Sequence, residues 1–224
     1  TLFYNVVVEP DNFMSALSDE IADVIIYPKS DSMSELESKL DNDNRVQNSL
    51  KYMSATVKIE EKTVTAFACE DFSKVRNDVC YVGENPKEAD EIALGSAFEE
   101  NFKIGDTVRV TEDGITKNFQ VTGFVQSVNL QGELCELSIE GYNSLFNQNQ
   151  TPYLYVYLEN PENAEEISKE YKSDYFEPVA DTVNAYKLQK EAQDMYMGIT
   201  VVLVVSIFAV TILVVLFILY IVIK

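Results

Sequence analysis

Apolar and polar positions follow two different rules along this chain. Before about residue 160 the apolar residues come in short runs, several of them alternating with polar ones, whereas after residue 197 they form one unbroken block. Short alternating runs predict half-buried strands, and a three-to-four spacing predicts helices. After an opening apolar run at 2–8, residues 21–27 form a β-rich stretch closed by Pro28, and residues 34–40 have helical spacing with Ser34 and Glu37 as a capping box. Residues 52–60 and 63–69 predict a hairpin around Glu60, Glu61 and Lys62. A short strand at 91–94 precedes a second capping box, Ser96 with Glu99, which opens a helix carrying Phe98 and Phe102 on one face and ending at Ile104, Gly105 and Asp106. Residues 107–111 and 119–125 alternate around Glu112, Asp113 and Gly114, and a strand at 134–139 follows the Gln131-Gly132 turn. Residues 153–158 make a last aromatic strand, Pro161 and Asn163 start a helix through Tyr171, and the lack of Gly or Pro from Val179 to Gly198 predicts a further helix. The expected fold class is α+β, a mixed domain with its helices interspersed among strands.

Residues 198–223 carry no charge and are almost wholly Val, Ile, Leu, Phe and Ala. At about 1.5 Å of rise per residue they make a helix about 39 Å long against a hydrocarbon core of about 30 Å, so the block spans a bilayer with some tilt or overhang. Its place at the far end of the chain excludes a secretory signal peptide. Leading into it, Ala185, Leu188, Ala192, Met195, Ile199 and Val202 fall three, four, three, four and three residues apart, a heptad seam. One helical rod would then join the domain to the span, and packing of that face on the chain's own domain is the other reading.

Charge sharpens this picture. All 37 acidic residues and 16 of the 17 basic ones precede the span, a balance of −21. Such a domain repels nucleic acid and anionic lipid and attracts cationic peptides or divalent cations, although the same charge also serves solubility alone. With 46% hydrophobic residues, 12 Phe and 13 Tyr, a core is affordable and disorder is not expected. Lys224, the single charge beyond the span, places the C-terminus in the cytoplasm by the positive-inside bias, with the acidic bulk outside. The division expected is an extracytoplasmic domain at 1–178, a stalk helix at 179–197 and a transmembrane helix at 198–223. The opening at Thr1, with neither Met nor a signal-like region, reads as a piece of a longer chain.

The chemistry on offer is sparse. No His is present, which removes the commonest general base, the usual metal ligand and every His-containing triad. Asp41-Asn42-Asp43-Asn44 begins like a calcium loop, but Arg45 and Val46 stand where an oxygen ligand and Gly are needed, so it reads as a polar helix end. Neither a phosphate-cradling Gly-rich loop nor a Cys-x-x-Cys pair occurs, so no catalytic, cofactor or metal site is expected on this chain. Of Cys69, Cys80 and Cys135, the pair Cys69 and Cys80 flanks one polar loop and is the disulfide candidate, with free buried thiols as the alternative. Asn149-Gln150-Thr151 is a formal glycosylation sequon.

Glu91-Ile92-Ala93-Leu94, then Phe98 and Phe102, then Ile104-Gly105-Asp106-Thr107-Val108, then Phe119-Gln120-Val121-Thr122-Gly123-Phe124-Val125 resemble, in that order, the extracytoplasmic core domain of FtsX-like and MacB-like ABC transporter permeases. Ala22-Asp23-Val24-Ile25-Ile26 looks like the first strand of such a domain, and the resemblance extends over nearly the whole chain. Gly105 would free the backbone at the helix exit, and Gly123 inside a strand suggests a bulge or a close backbone approach. The resemblance implies a permease of the bacterial plasma membrane, paired with a cytoplasmic ATPase that holds the ATP and with a second permease copy or paralogue. It implies mechanotransmission by the outer domain, acting on peptides, lipoproteins or cell-wall regulators such as hydrolases, and no catalytic residue of its own. A single-span receptor or adhesin with an anchor helix is the competing reading, and a membrane-anchored enzyme is disfavoured by the missing His.

Overall fold

The computed structural model describes residues 21–29, 32–127, 130–146, 150–172 and 178–223. The opening run at 2–8, Asn149 of the sequon and Lys224 lie outside the described residues. The strands and helices are β1 (Val24–Pro28), α1 (Met33–Asp41), β2 (Val46–Ile59), β3 (Lys62–Cys69), β4 (Cys80–Gly83), β5 (Glu91–Gly95), β6 (Thr107–Glu112), β7 (Ile115–Val125), β8 (Leu134–Ser138), α2 (Ile139–Asn143), β9 (Tyr153–Leu158), α3 (Ala164–Lys172), β10 (Val179–Asn184) and α4 (Ala185–Ile223). Two units divide the chain, one within residues 17–187 and one that takes in 188–224.

The 14-residue strand β2 organises the first unit. Its first half pairs antiparallel with β9, setting Leu50 opposite Tyr155 and Tyr52 opposite Tyr153. Its second half forms the expected hairpin with β3, and its last residues also pair with β6, Lys58 opposite Thr111 and Ile59 opposite Val110. The sheet order is β10-β1-β9-β2-β3-β8-β5-β7-β4, with β6 bonded to both β7 and β2. The path β2-β3-β8-β5-β7-β6 therefore returns to β2 and closes a six-stranded barrel, which removes edges that an open sheet would expose. Val57, Ala66, Ile92, Val108, Phe119 and Leu137 meet in its interior.

The remaining strands extend β2 into an open sheet with two unlike faces. Along β9, Leu154, Val156 and Leu158 point one way and Tyr153, Tyr155 and Tyr157 the other, as the two-residue period of a strand requires. The aliphatic set packs under Leu36 and Leu40 of α1 and Ile167 and Tyr171 of α3. The tyrosine set packs with Tyr52, Phe72 and Leu50.

Three expectations are corrected. Residues 179–184 are not the start of a helix but strand β10, paired with β1 from Val24 opposite Asn184 to Pro28 opposite Val179. The β-branched Val179, Thr182 and Val183 suit a strand, and Thr182 donates to the Ser168 carbonyl of α3 at 2.8 Å. The stalk thus begins at Ala185. The Ser34–Glu37 box does not form, because α1 starts at Met33 behind Ser32 and no side chain caps it. Ser96 with Glu99 opens only a 3-10 turn, Ser96–Phe98, without a side-chain cap; Phe98 still reaches the barrel core and Phe102 packs against it. The meander strands, the β6–β7 hairpin with Asp113 and Gly114 at positive φ, and the aromatic strand stand where the pattern puts them. At Gly123 a Cβ would lie 2.5 Å from the Glu84 carbonyl oxygen and 2.9 Å from that of Val82, the close backbone approach read from the sequence, and the β5–β7 register shifts beside it.

Candidate functional site

Where the long helix leaves the domain, four elements converge. Asn184, the last residue of β10, accepts the Lys187 N–H on its side-chain oxygen at 2.8 Å and so caps the first turn of α4. The Tyr186 N–H donates to the Asp23 carbonyl at 2.9 Å, and the Tyr186 hydroxyl donates to Glu162 at 2.9 Å. Ala185 is buried in the domain.

Asp23, immediately before β1, holds this junction. The residue is 3% exposed. It accepts both guanidinium branches of Arg76, at 2.8 and 2.7 Å, and the Leu158 N–H at 2.8 Å. Arg76 lies 5.1 Å from the centre of the Tyr157 ring. One buried acid thereby joins the base of α4, the end of β9 and the 70–79 loop, in the bidentate geometry that makes charged hydrogen bonds strong. From Ala185 the helix continues without a break through Gly198 to Ile223, and among the described residues it is the one helix long and apolar enough to cross a membrane. At 39 residues it is about 58 Å long by the usual rise. Of the seam residues, Ala185 is buried, whereas Leu188, Ala192, Met195 and Ile199 are exposed on the single chain.

The disulfide candidate is corrected: Cys69, Cys80 and Cys135 are free thiols. Cys69 ends β3 and Cys80 starts β4, with β8, β5 and β7 between those strands in the sheet order, although both line one polar groove with Asp71, Asp78 and Glu84. Burial first, then the charges of Asp78 and Glu136, push the Cys80 thiol from its ordinary 9.0 up to about 11. That holds it away from the thiolate that attacks in disulfide exchange. Burial likewise raises Cys135.

Asp43, in the turn between α1 and β2, bonds Arg45 through Nε at 2.8 Å and Nη2 at 2.6 Å. That pairing holds its carboxyl near 2 instead of the ordinary 3.8. Arg45 reaches on to Glu170 at 2.9 Å, which ties the turn between α1 and β2 to α3. Among the described residues no cluster of three or more Cys, Asp or Glu side chains is placed to hold a metal.

Sequence reasoning missed Asp23 and Arg76 as partners. Their signal was a lone acid inside the apolar stretch at 21–27, since a buried carboxylate must find a cation or donors. Glu136, a lone acid between Cys135 and Leu137, carries the same signal and is 3% exposed.

No model of a known protein family matches the chain. No curated protein sequence matches it either. Among solved structures the chain is similar to the periplasmic region of MacB from Actinobacillus actinomycetemcomitans, at 13% identity and a TM-score of 0.50 over 76% of this chain and 91% of that one. The extracellular domain of the noncanonic ABC-type transporter YknZ from Gram-positive bacteria also aligns, at 15% identity and a TM-score of 0.43 over 66% of this chain and 89% of that one. The first likeness shows the fold: a MacB-like α+β domain that runs on into one long apolar helix.

Proposed function

We propose that the chain is the outer domain and adjoining membrane helix of a bacterial ABC transporter permease, working beside a cytoplasmic ATPase and a second permease copy or paralogue. In this reading the ATPase holds the ATP, the chain carries neither a cofactor nor catalysis, and the domain up to residue 197 stands outside the membrane with the C-terminus in the cytoplasm. The outer domain engages a peptide, lipoprotein or cell-wall regulator and moves with the hydrolysis cycle. The observation that carries the reading is the continuity of α4, one helix from a capped, ion-paired junction into an apolar stretch of membrane-spanning length. The fold shared with the MacB periplasmic region supports it.

Gln189→Pro in the intact transporter tests it. Proline there removes the hydrogen bond to the Ala185 carbonyl and costs about 3 kcal/mol of helix, while sparing the seam at Leu188 and Ala192. Membrane insertion and ATP hydrolysis by the partner should persist while the extracytoplasmic work that hydrolysis drives is lost. A correctly inserted proline variant with full function would reject mechanotransmission and favour the single-span receptor or adhesin.

A further inference from the structure

The tyrosine face of the sheet does not end at the barrel. Tyr155 stacks on Tyr52, ring centres 4.1 Å apart and 11° from parallel, and Tyr52 lies 6.3 Å from Phe67. Phe67 pairs directly with Glu136 across β3 and β8, and Glu136 pairs in turn with the small Ala93 of β5. The carboxylate therefore sits at the end of an aromatic row, on the outer face of a strand whose Cys135 and Leu137 fill the barrel. Tyr52, Tyr155, Phe67, Leu134 and Ser127 line one groove with Glu136, and among the described residues the rest of its lining is apolar, aromatic or uncharged.

We infer that this groove receives a primary ammonium on an aliphatic stem, a lysine side chain of an extracytoplasmic peptide, with the methylenes along Tyr52, Phe67 and Leu134 and the ammonium at Glu136. Aromatic faces attract cations, and a carboxylate taken out of water attracts one more strongly than a surface acid does. A compact ammonium on a slim aliphatic stem can bond one carboxylate oxygen at the end of the groove, whereas a guanidinium bonds best when its planar fork reaches both oxygens, as that of Arg76 does on Asp23. The domain's charge balance of −21 draws such a peptide in from a distance. This inference rests on the reading above, in which the outer domain meets a partner outside the membrane.

The full chain in detergent micelles is titrated calorimetrically with acetyl-Gly-Lys-Gly-amide and with the same peptide carrying norleucine, which keeps the stem and lacks the charge. A charge-assisted bond to Glu136 should make the lysine peptide bind about tenfold more tightly or better. Glu136→Gln should remove that preference and leave the norleucine value unchanged. Equal binding of the two peptides, no binding of either, or a lysine preference that survives in Glu136→Gln overturns the inference. Should Glu136→Gln fail to fold by circular dichroism, the two-peptide comparison on the unaltered chain decides. Because Gln189→Pro is scored on transport and these titrations on binding, failure of the groove leaves the transporter reading standing, and the reverse also holds.

Discussion

Arg76→Met and Asp23→Asn break the same ion pair from opposite ends, and their costs should be unequal. Asp23 is 3% exposed, while the Arg76 side chain is 40% exposed. Arg76→Met keeps an apolar stem over Tyr157 but leaves a buried carboxylate with the Leu158 N–H and no counter-ion. Stranding a buried charge costs about 3–5 kcal/mol, and the partly open site argues for the lower end, about 3 kcal/mol. Asp23→Asn leaves an arginine that water can solvate, and the amide oxygen still accepts from Leu158, so the loss is about 1–2 kcal/mol. The double variant should cost less than the two singles added, with a coupling of about 1 kcal/mol or more. Urea unfolding of the full chain in micelles, followed by far-ultraviolet circular dichroism, gives the midpoints. Equal costs, the reverse order or strict additivity would refute the assignment of Asp23 as a buried, arginine-compensated junction.

The acid limb of stability should depend on Asp43. Its carboxyl is depressed from 3.8 to about 2 by Arg45, so the pair's contribution is complete above about pH 4 and is lost as pH falls through 2. At 1.36 kcal/mol per unit the ceiling is about 2 kcal/mol, reduced by solvent screening, and Asp43→Asn should flatten the stability profile over that window. Thiol counting on the unfolded, non-reduced chain should find three thiols, with only the half-exposed Cys80 reacting, slowly, in the folded state; a count of one would restore the Cys69–Cys80 bridge.

Much of the fold is legible because strand alternation and turn chemistry are local. The β6–β7 hairpin announces itself through Asp113-Gly114, and β9 through its tyrosines. The barrel is not legible, since its closure depends on Lys58 and Ile59 meeting Thr111 and Val110, a pairing about 50 residues apart that no periodicity encodes. The failed capping boxes have a compositional cause: with 37 acidic residues in 224, a Ser followed three places later by Glu arises often without forming a cap. At β10 the strand passes into α4 with no Gly or Pro to mark the change, because Asn184 both ends the strand and caps the helix. The β-branched Val179, Thr182 and Val183 were the available warning. Candidate sites fared likewise. A lone acid such as Asp23 can be seen in an apolar run, but its partner lies 53 residues on.

On the reading that α4 carries motion, load arrives at Asn184 and Tyr186. Asn184 pairs with Val24, and the neighbouring Asp23 receives the Tyr186 N–H, so the first step inward is β1. Among the described residues β10 is the outermost strand of the sheet order and β1 is its one strand partner, with five backbone pairs that the Thr182 bond to Ser168 of α3 supplements. Asp23 adds the Leu158 N–H and Arg76, passing the load to β9 and from there to β2, whose second half is a stave of the barrel. Serial elements have a distinct signature. If α4 and the Asp23 clamp lie on one route, combining Gln189→Pro with Arg76→Met in the intact transporter should lower the extracytoplasmic work no further than the worse single variant does. Independent routes would instead multiply the two losses, and that outcome would confine Asp23 to stability.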